Sequence, residues 1–186
     1  DAKWLVPLIA GTTSFLLTDR RVSDHFAASP GLVHMGDVVS YFGSAYAIGA
    51  SAATFYIVGR VKHDARARET ALLVTEALID ASVVHTVVKI VAQRSRPDAG
   101  PIRGEFFTGG VSFPSGHTQH FWSFATVVAH EYAHYKWVPF VAYGTASLVG
   151  VARVAAQRHY LSDVLVGGAL GYAIGSYVYR THQRLD

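Results

Sequence analysis

Residues 71–91 read ALLVTEALIDASVVHTVVKIV, 21 positions of which only Glu76, Asp80 and Lys89 carry a formal charge. A run of that length and apolarity can cross the hydrocarbon layer of a bilayer as a single helix. Five further apolar stretches flank it, at residues 5–17, 38–61, 121–133, 138–156 and 164–178. The 38–61 stretch also reaches spanning length, whereas the other four fall short of the ~20 residues needed unless flanking residues join them. The breaks are Ser29, Pro30 and Gly31, the charged run 60–69, and the Gly- and Pro-rich stretch 97–114. Pro97 biases Arg96 away from helical geometry, so the third helix is expected to stop there.

The 186-residue length fits one domain, residues 1–186, and 51% hydrophobic with 16% charged is rich in apolar residues for a soluble one. Gly167, Gly171 and Gly175 recur every four residues, as do Gly49 and Ala53, a spacing that lets helix backbones approach closely in lipid. A soluble helical bundle is the alternative, but each glycine would cost a water-exposed helix about 1 kcal/mol. The expected fold is therefore all-α, a six-helix transmembrane bundle. A net charge of +3 without an Arg/Lys stripe among aromatics gives no support for a nucleic-acid partner. The absence of cysteine excludes disulfides, thiolate catalysis and cysteine-ligated metals. Because the chain opens on Asp1 rather than methionine, an upstream piece is expected to have been removed.

Three short runs carry the chemistry: Lys89 with Arg96 and Pro97 (KxxxxxxRP), Pro114 to His117 (PSGH), and Arg153 with His159 and Asp163 (RxxxxxHxxxD). With this chain's residue frequencies, their joint accidental occurrence in that order is on the order of one in a million. Together they supply cations to hold a phosphoryl group, an imidazole to attack it and another to protonate the leaving oxygen. No metal or other cofactor is required. If all six stretches cross, the end of the third, the start of the fourth, the end of the fifth and the start of the sixth share one face. All three runs fall there, so the site is expected at one membrane face. The opposite face carries Lys3, Arg60, Lys62, Arg66, Arg68, Lys136, Arg180 and Arg184. The motif face has as many basic residues, but with Lys89, Arg96 and Arg153 committed to chemistry a modest positive-inside bias remains, concentrated in Arg60 to Arg68, which places both termini in the cytoplasm and, in a bacterial inner membrane, the site toward the periplasm.

Set in this order, the runs resemble the type 2 phosphatidic acid phosphatase superfamily, which also includes vanadium-dependent haloperoxidases and bacterial acid phosphatases. One departure is visible: the family's third block usually begins Ser-Arg, and here Ala152 precedes Arg153. The resemblance implies a membrane enzyme whose partners are the bilayer and a lipid phosphate, with phosphatidic acid, phosphatidylglycerol phosphate, undecaprenyl diphosphate and lipid A phosphate as candidate substrates.

The residues assign themselves roles by spacing. His159 and Asp163 lie four apart, so on a helix the carboxylate accepts the Nδ1 proton and leaves Nε2 free as the nucleophile. Ser115, expected to N-cap the fourth helix, and Gly116, which lets the backbone come close, are expected to bind the phosphoryl oxygens at that helix start. His117 serves as acid and then base. Lys89 and Arg96, two helical turns apart, join Arg153 in neutralising the equatorial oxygens. Arg94, Arg103 and Arg158 are read as headgroup contacts or solvated charges. Phe106 and Phe107 are expected to shape the entrance, as are Arg20, Arg21, His25 and Phe26 in the first connection.

A competing motif is His130, Glu131 and His134, the HExxH pattern of zinc metalloproteases. It suggests an intramembrane metalloprotease, and a vanadium haloperoxidase-like enzyme is the other alternative. His130 lies 13 residues beyond His117, roughly 20 Å along a helix, and so cannot serve the phosphoryl site. Glu76 should reach a similar depth, making Glu76, His130 and His134 a candidate polar cluster or metal site.

Overall fold

The computed structural model describes residues 5–183. Lys3 and Arg184 lie outside them. Among the described residues the chain forms seven α-helices and no strand: α1 Leu5–Ala27, α2 Pro30–Ser40, α3 Ala45–Val61, α4 Ala65–Ala92, α5 Gly116–Glu131, α6 Trp137–Ala155 and α7 Leu161–His182. Three of these, α4, α6 and α7, are long and apolar enough to cross a membrane. The all-helical class holds, but the 38–61 stretch is not one straight helix. A 3-10 turn at Tyr41–Gly43 separates α2 from α3, and the pair is bent by 41°. Ser44 causes the restart, because its hydroxyl accepts from the Ala47 N–H and caps α3. Counted as one broken span, the pair makes a fourth crossing candidate.

The core gathers Ile48 and Ala52 of α3, Leu73, Val74 and Ala77 of α4, Phe121 and Ala125 of α5, Ala146 and Val149 of α6, and Val178 of α7. Large apolar side chains also point outward: Leu72, Ile79, Val83 and Val87 on α4, Phe140, Leu148 and Val151 on α6, and Tyr177 on α7. Apolar surface on both the inner and outer faces is what lipid, rather than water, accommodates. Small residues close the tightest seam, between α5 and α7. A β-carbon on Gly171 would stand 2.3 Å from the Gln119 carbonyl oxygen, one on Gly167 2.7 Å from that of Ser115, and one on Gly175 2.6 Å from that of Ser123. Backbone thus rests directly on backbone at three successive turns.

This packing sets the C-terminal ends of α4 and α6 beside the N-terminal ends of α5 and α7, the juxtaposition expected from the crossing pattern. Helix α4 stops earlier than Pro97 predicts. Gln93 takes a left-handed conformation (φ 45°) and the helix ends at Ala92, so Arg96 stands on the following loop rather than two turns along the same helix face. The segment containing Arg20, Arg21, His25 and Phe26 is likewise no connection but the polar half of α1.

Candidate active site

The loop after α4 folds back on its own root. Phe107 N–H donates to the Ala92 carbonyl, Gly110 N–H to that of Gln93 and Ser112 N–H to that of Arg94, at 3.0, 3.0 and 2.8 Å. Gly110 is obligatory, since a β-carbon there would overlap the Arg94 carbonyl at 2.2 Å. The loop returns the chain to α5 and leaves a cavity of about 690 Å³ among the helix ends. Lys89, Arg96, Gly116, His117, Arg153 and His159 all line it. Residues separated by up to 70 positions therefore meet around one space.

Arg153, on the last turn of α6, donates from Nη1 to Ser40 Oγ at 3.0 Å, and its Nε has no hydrogen-bond partner among the described residues. Arg96 Nε is likewise unpartnered and buried. Guanidinium groups held with donors to spare suit an incoming anion. Ser115 occupies the N-cap position of α5, but its hydroxyl pairs with Thr118 Oγ1 at 2.9 Å and makes no cap hydrogen bond. Buried behind Gly116, it does not line the cavity. The first-turn N–H groups of α5 consequently have no side-chain cap, leaving a helix start able to receive an anion.

His159 departs from the expected geometry. Helix α7 begins at Leu161, so His159 precedes it and the four-residue spacing does not act as a helical pair. Its Nδ1 donates to the Ser112 carbonyl at 2.6 Å, while Asp163 Oδ2 stands 3.8 Å away. The loop carbonyl, not the carboxylate, fixes the tautomer and leaves Nε2 as the free ring nitrogen. Burial pushes His159 below the ordinary imidazole range, opposed by Asp163 and by the Ser112 hydrogen bond. Asp163 is fully buried and braces the loop: it accepts from Ser112 Oγ at 2.5 Å, from Tyr160 N–H at 2.9 Å and from Arg94 Nη1 at 2.5 Å.

Arg94 is no solvated charge. It is 3% exposed, forks between Asp163 and Asp19 (2.8 Å), and stands over the rings of both Phe106 and Tyr160, with Cζ 4.8 and 4.3 Å from their centroids. Asp19 also accepts from Ser162 N–H at 3.0 Å, tying α1 to the start of α7. Nothing in the local sequence marks Asp19; the polar continuation of α1 past its apolar run is the only signal. Arg103 pairs with Asp24 at 2.5 Å, and Arg20 donates to the Arg103 carbonyl at 2.9 Å, so these groups clamp α1 to the loop. Arg158 pairs with Asp37 at 3.3 Å. Phe106 packs behind the site on Phe113 and Phe107 is exposed; neither lines the cavity.

At the other end of the bundle the HExxH histidines diverge. His134 meets the Arg66 guanidinium at 3.0 Å, His130 stacks on Tyr179 with centroids 4.7 Å apart, and Glu76 pairs with His182 at 3.4 Å. The proposed Glu76, His130 and His134 cluster does not form. No group of three side chains able to hold a metal occurs among the described residues.

A family model described as the PAP2 superfamily matches residues 70–186, which hold all three motifs. The chain belongs to the PAP2 superfamily. Along most of its length it is similar to a lipid A 1-phosphatase of Rhizobium johnstonii, 31% identical over 185 residues that cover 89% of this chain and 74% of that protein. A lipid A 1-phosphatase of Porphyromonas gingivalis is 37% identical over 87 residues, 46% of this chain but 18% of that longer protein. The crystal structure of a transmembrane PAP2 type phosphatidylglycerolphosphate phosphatase from Bacillus subtilis shares the fold, with a TM-score of 0.72, 23% identity and coverage of 97% of this chain and 96% of that one. The chain is thus an enzyme of the PAP2 phosphatase family on a membrane-type helical scaffold.

Proposed function

We propose that this protein, as one lipid phosphatase domain, hydrolyses a lipid phosphate monoester or diphosphate through a phosphohistidine at His159, without a metal ion. The observation that carries the reading is the convergence of Lys89, Arg96, Arg153, His117 and His159 on one cavity. His159 Nε2 attacks phosphorus in line while the three cations and the uncapped start of α5 stabilise the equatorial oxygens. His117 donates a proton to the departing oxygen, then takes one from the water that attacks the phosphohistidine and releases inorganic phosphate. Asp163, close to the imidazole but not bonded to it, favours the positive charge the ring acquires.

In this reading α1, the broken pair α2 with α3, and α4 to α7 make six crossings. Arg60, Lys62, Arg66, Arg68, Lys136 and Arg180 gather at the end remote from the cavity; the cavity end has as many cations, but Lys89, Arg96 and Arg153 face the cavity and Arg94, Arg103 and Arg158 are ion-paired, and the modest bias left supports a cytoplasmic face at the remote end and, in a bacterium, a periplasmic site. A lipid substrate is supported by an apolar groove of about 420 Å³ lined by Trp122, Gly150, Val151, Leu161, Val164 and Leu165 among others. It lies between α5, α6 and α7, where an acyl or prenyl tail could stay in the bilayer.

The test is phosphate release from a panel of lipid mono- and diphosphates in detergent, with and without EDTA. The reading predicts turnover that EDTA leaves intact and that vanadate, a mimic of five-coordinate phosphorus, inhibits. No turnover of any lipid phosphate, or its loss on chelation, would contradict it.

A further inference from the structure

Two histidines outside the three motifs line the same cavity. His85 lies one helical turn before Lys89 on α4, and His120 lies nearly one turn after His117 on α5. Because the cavity sits at the C-terminal end of α4 and the N-terminal end of α5, both histidines are about 5 Å deeper in the bundle than the motif residues. Their rings meet edge-on with centroids 5.9 Å apart. His120 Nε2 is 3.1 Å from Ser82 Oγ, which orients that ring. His85 rests on the start of α5, where a β-carbon on Gly116 would come within 2.9 Å of its Cε1. Its Nδ1 is buried and without a hydrogen-bond partner among the described residues.

A buried polar atom left unpaired is costly, and ionisable side chains within membrane helices persist where they meet a substrate or each other. We propose that His85 and His120 form a leaving-group subsite that holds the second phosphate of a lipid diphosphate. The inference rests on the phosphatase reading above and deepens it.

The in-line geometry supplies the reason. With His159 on one side of the phosphorus, the leaving oxygen departs on the side of His117 and the α5 start. The next groups in that direction are His85, in contact with Gly116, and His120, nearly a turn further on. The His159 Nε2 lone pair forms the N–P bond as the P–O bond to the second phosphate breaks. The electron pair goes to that oxygen, which His117 protonates, and the leaving group is the lipid monophosphate. Lys89, Arg96 and Arg153 already match one transferring phosphoryl, and no acidic side chain lines the cavity to oppose a second anion. Ser82 Oγ gives its proton to the Leu78 carbonyl, so His120 keeps Nε2–H on Ser82 and turns Nδ1 into a donor only as an imidazolium, the form that a bound diphosphate favours; His85 has an N–H to give as it stands. The diacylglycerol that leaves phosphatidic acid offers only neutral ester oxygens and a hydroxyl in place of that anion.

The experiment compares kcat and KM for a prenyl diphosphate and for phosphatidic acid, using the full chain in detergent with His85→Ala, His120→Ala, His85→Gln and His120→Gln. The alanine variants should lower kcat/KM for the diphosphate at least tenfold, mainly through KM, and change phosphatidic acid by less than twofold. The glutamine variants, which keep a donor, should recover most of the diphosphate activity. Equal losses on both substrates, or no loss on either, overturn the subsite. Wild-type enzyme that turns over phosphatidic acid but not the diphosphate also overturns it, while wild-type enzyme inactive on every lipid phosphate overturns the phosphatase reading beneath it.

Discussion

Replacing Arg94 by Met keeps much of the side-chain volume and removes the one cation shared by two buried carboxylates. Asp19 is 1% and Asp163 0% exposed, and each accepts a charged hydrogen bond from the same guanidinium, at 2.8 and 2.5 Å. Breaking a single buried pair from one side costs about 3–5 kcal/mol, because the surviving charge keeps its desolvation penalty and loses its partner. At about 2–4 °C per kcal/mol for a domain of this size, the melting temperature should fall by roughly 6–20 °C. Tryptophan fluorescence during thermal unfolding in detergent reads this directly. Adding Asp19→Asn to Arg94→Met should return part of the loss, since only one carboxylate then remains unpaired. Arg94→Lys should be intermediate, as one ammonium cannot reproduce the fork. Activity should fall with stability, because Asp163 holds Ser112, and Ser112 holds His159. A melting temperature within about 2 °C of wild type for Arg94→Met would mean that the buried carboxylates do not depend on this guanidinium.

The α5 to α7 seam makes a second prediction: Gly171→Ala should destabilise by about 1–3 kcal/mol, since its methyl would collide with the Gln119 carbonyl, while Gly49→Ala, with nothing within 4 Å, should be neutral or better in the same melting assay. The pH dependence of kcat/KM, which reports the free enzyme, should show an acid limb below the ordinary imidazole value of about 6.5, because burial favours neutral, nucleophilic His159. The same lowering means the folded state binds fewer protons than the unfolded one, so stability should be kept above that pH and decline as pH falls beneath it. Glu131→Gln should leave phosphate release unchanged within twofold; loss of activity would revive the HExxH motif as a catalytic element.

Much of this arrangement is legible in the sequence because the motif residues sit at the ends of apolar runs, and the packed helices bring those ends together. Glycines at four-residue spacing likewise announce the α5 to α7 contact. What is not legible turns on where helices stop. Gln93 in a left-handed conformation ends α4 early, and α7 starting at Leu161 removes His159 from its helix. Spacing rules assume unbroken helices and so assign the Nδ1 hydrogen bond to Asp163 instead of the Ser112 carbonyl. Arg94 is misread for a related reason: its partner Asp19 lies 75 residues away, with no pattern around it. HExxH shows the converse, a motif whose spacing is right but whose side chains find Arg66 and Tyr179.

The proposed mechanism turns on a covalent bond between phosphorus and His159. Rapid acid-free quenching of enzyme mixed with a ³²P-labelled lipid phosphate, followed by peptide mapping, reveals whether that bond forms. Acid-labile, base-stable label is expected on the peptide containing residue 159, and His159→Ala should lose it together with nearly all turnover. Full-rate hydrolysis by His159→Ala, or label on another residue, would contradict it.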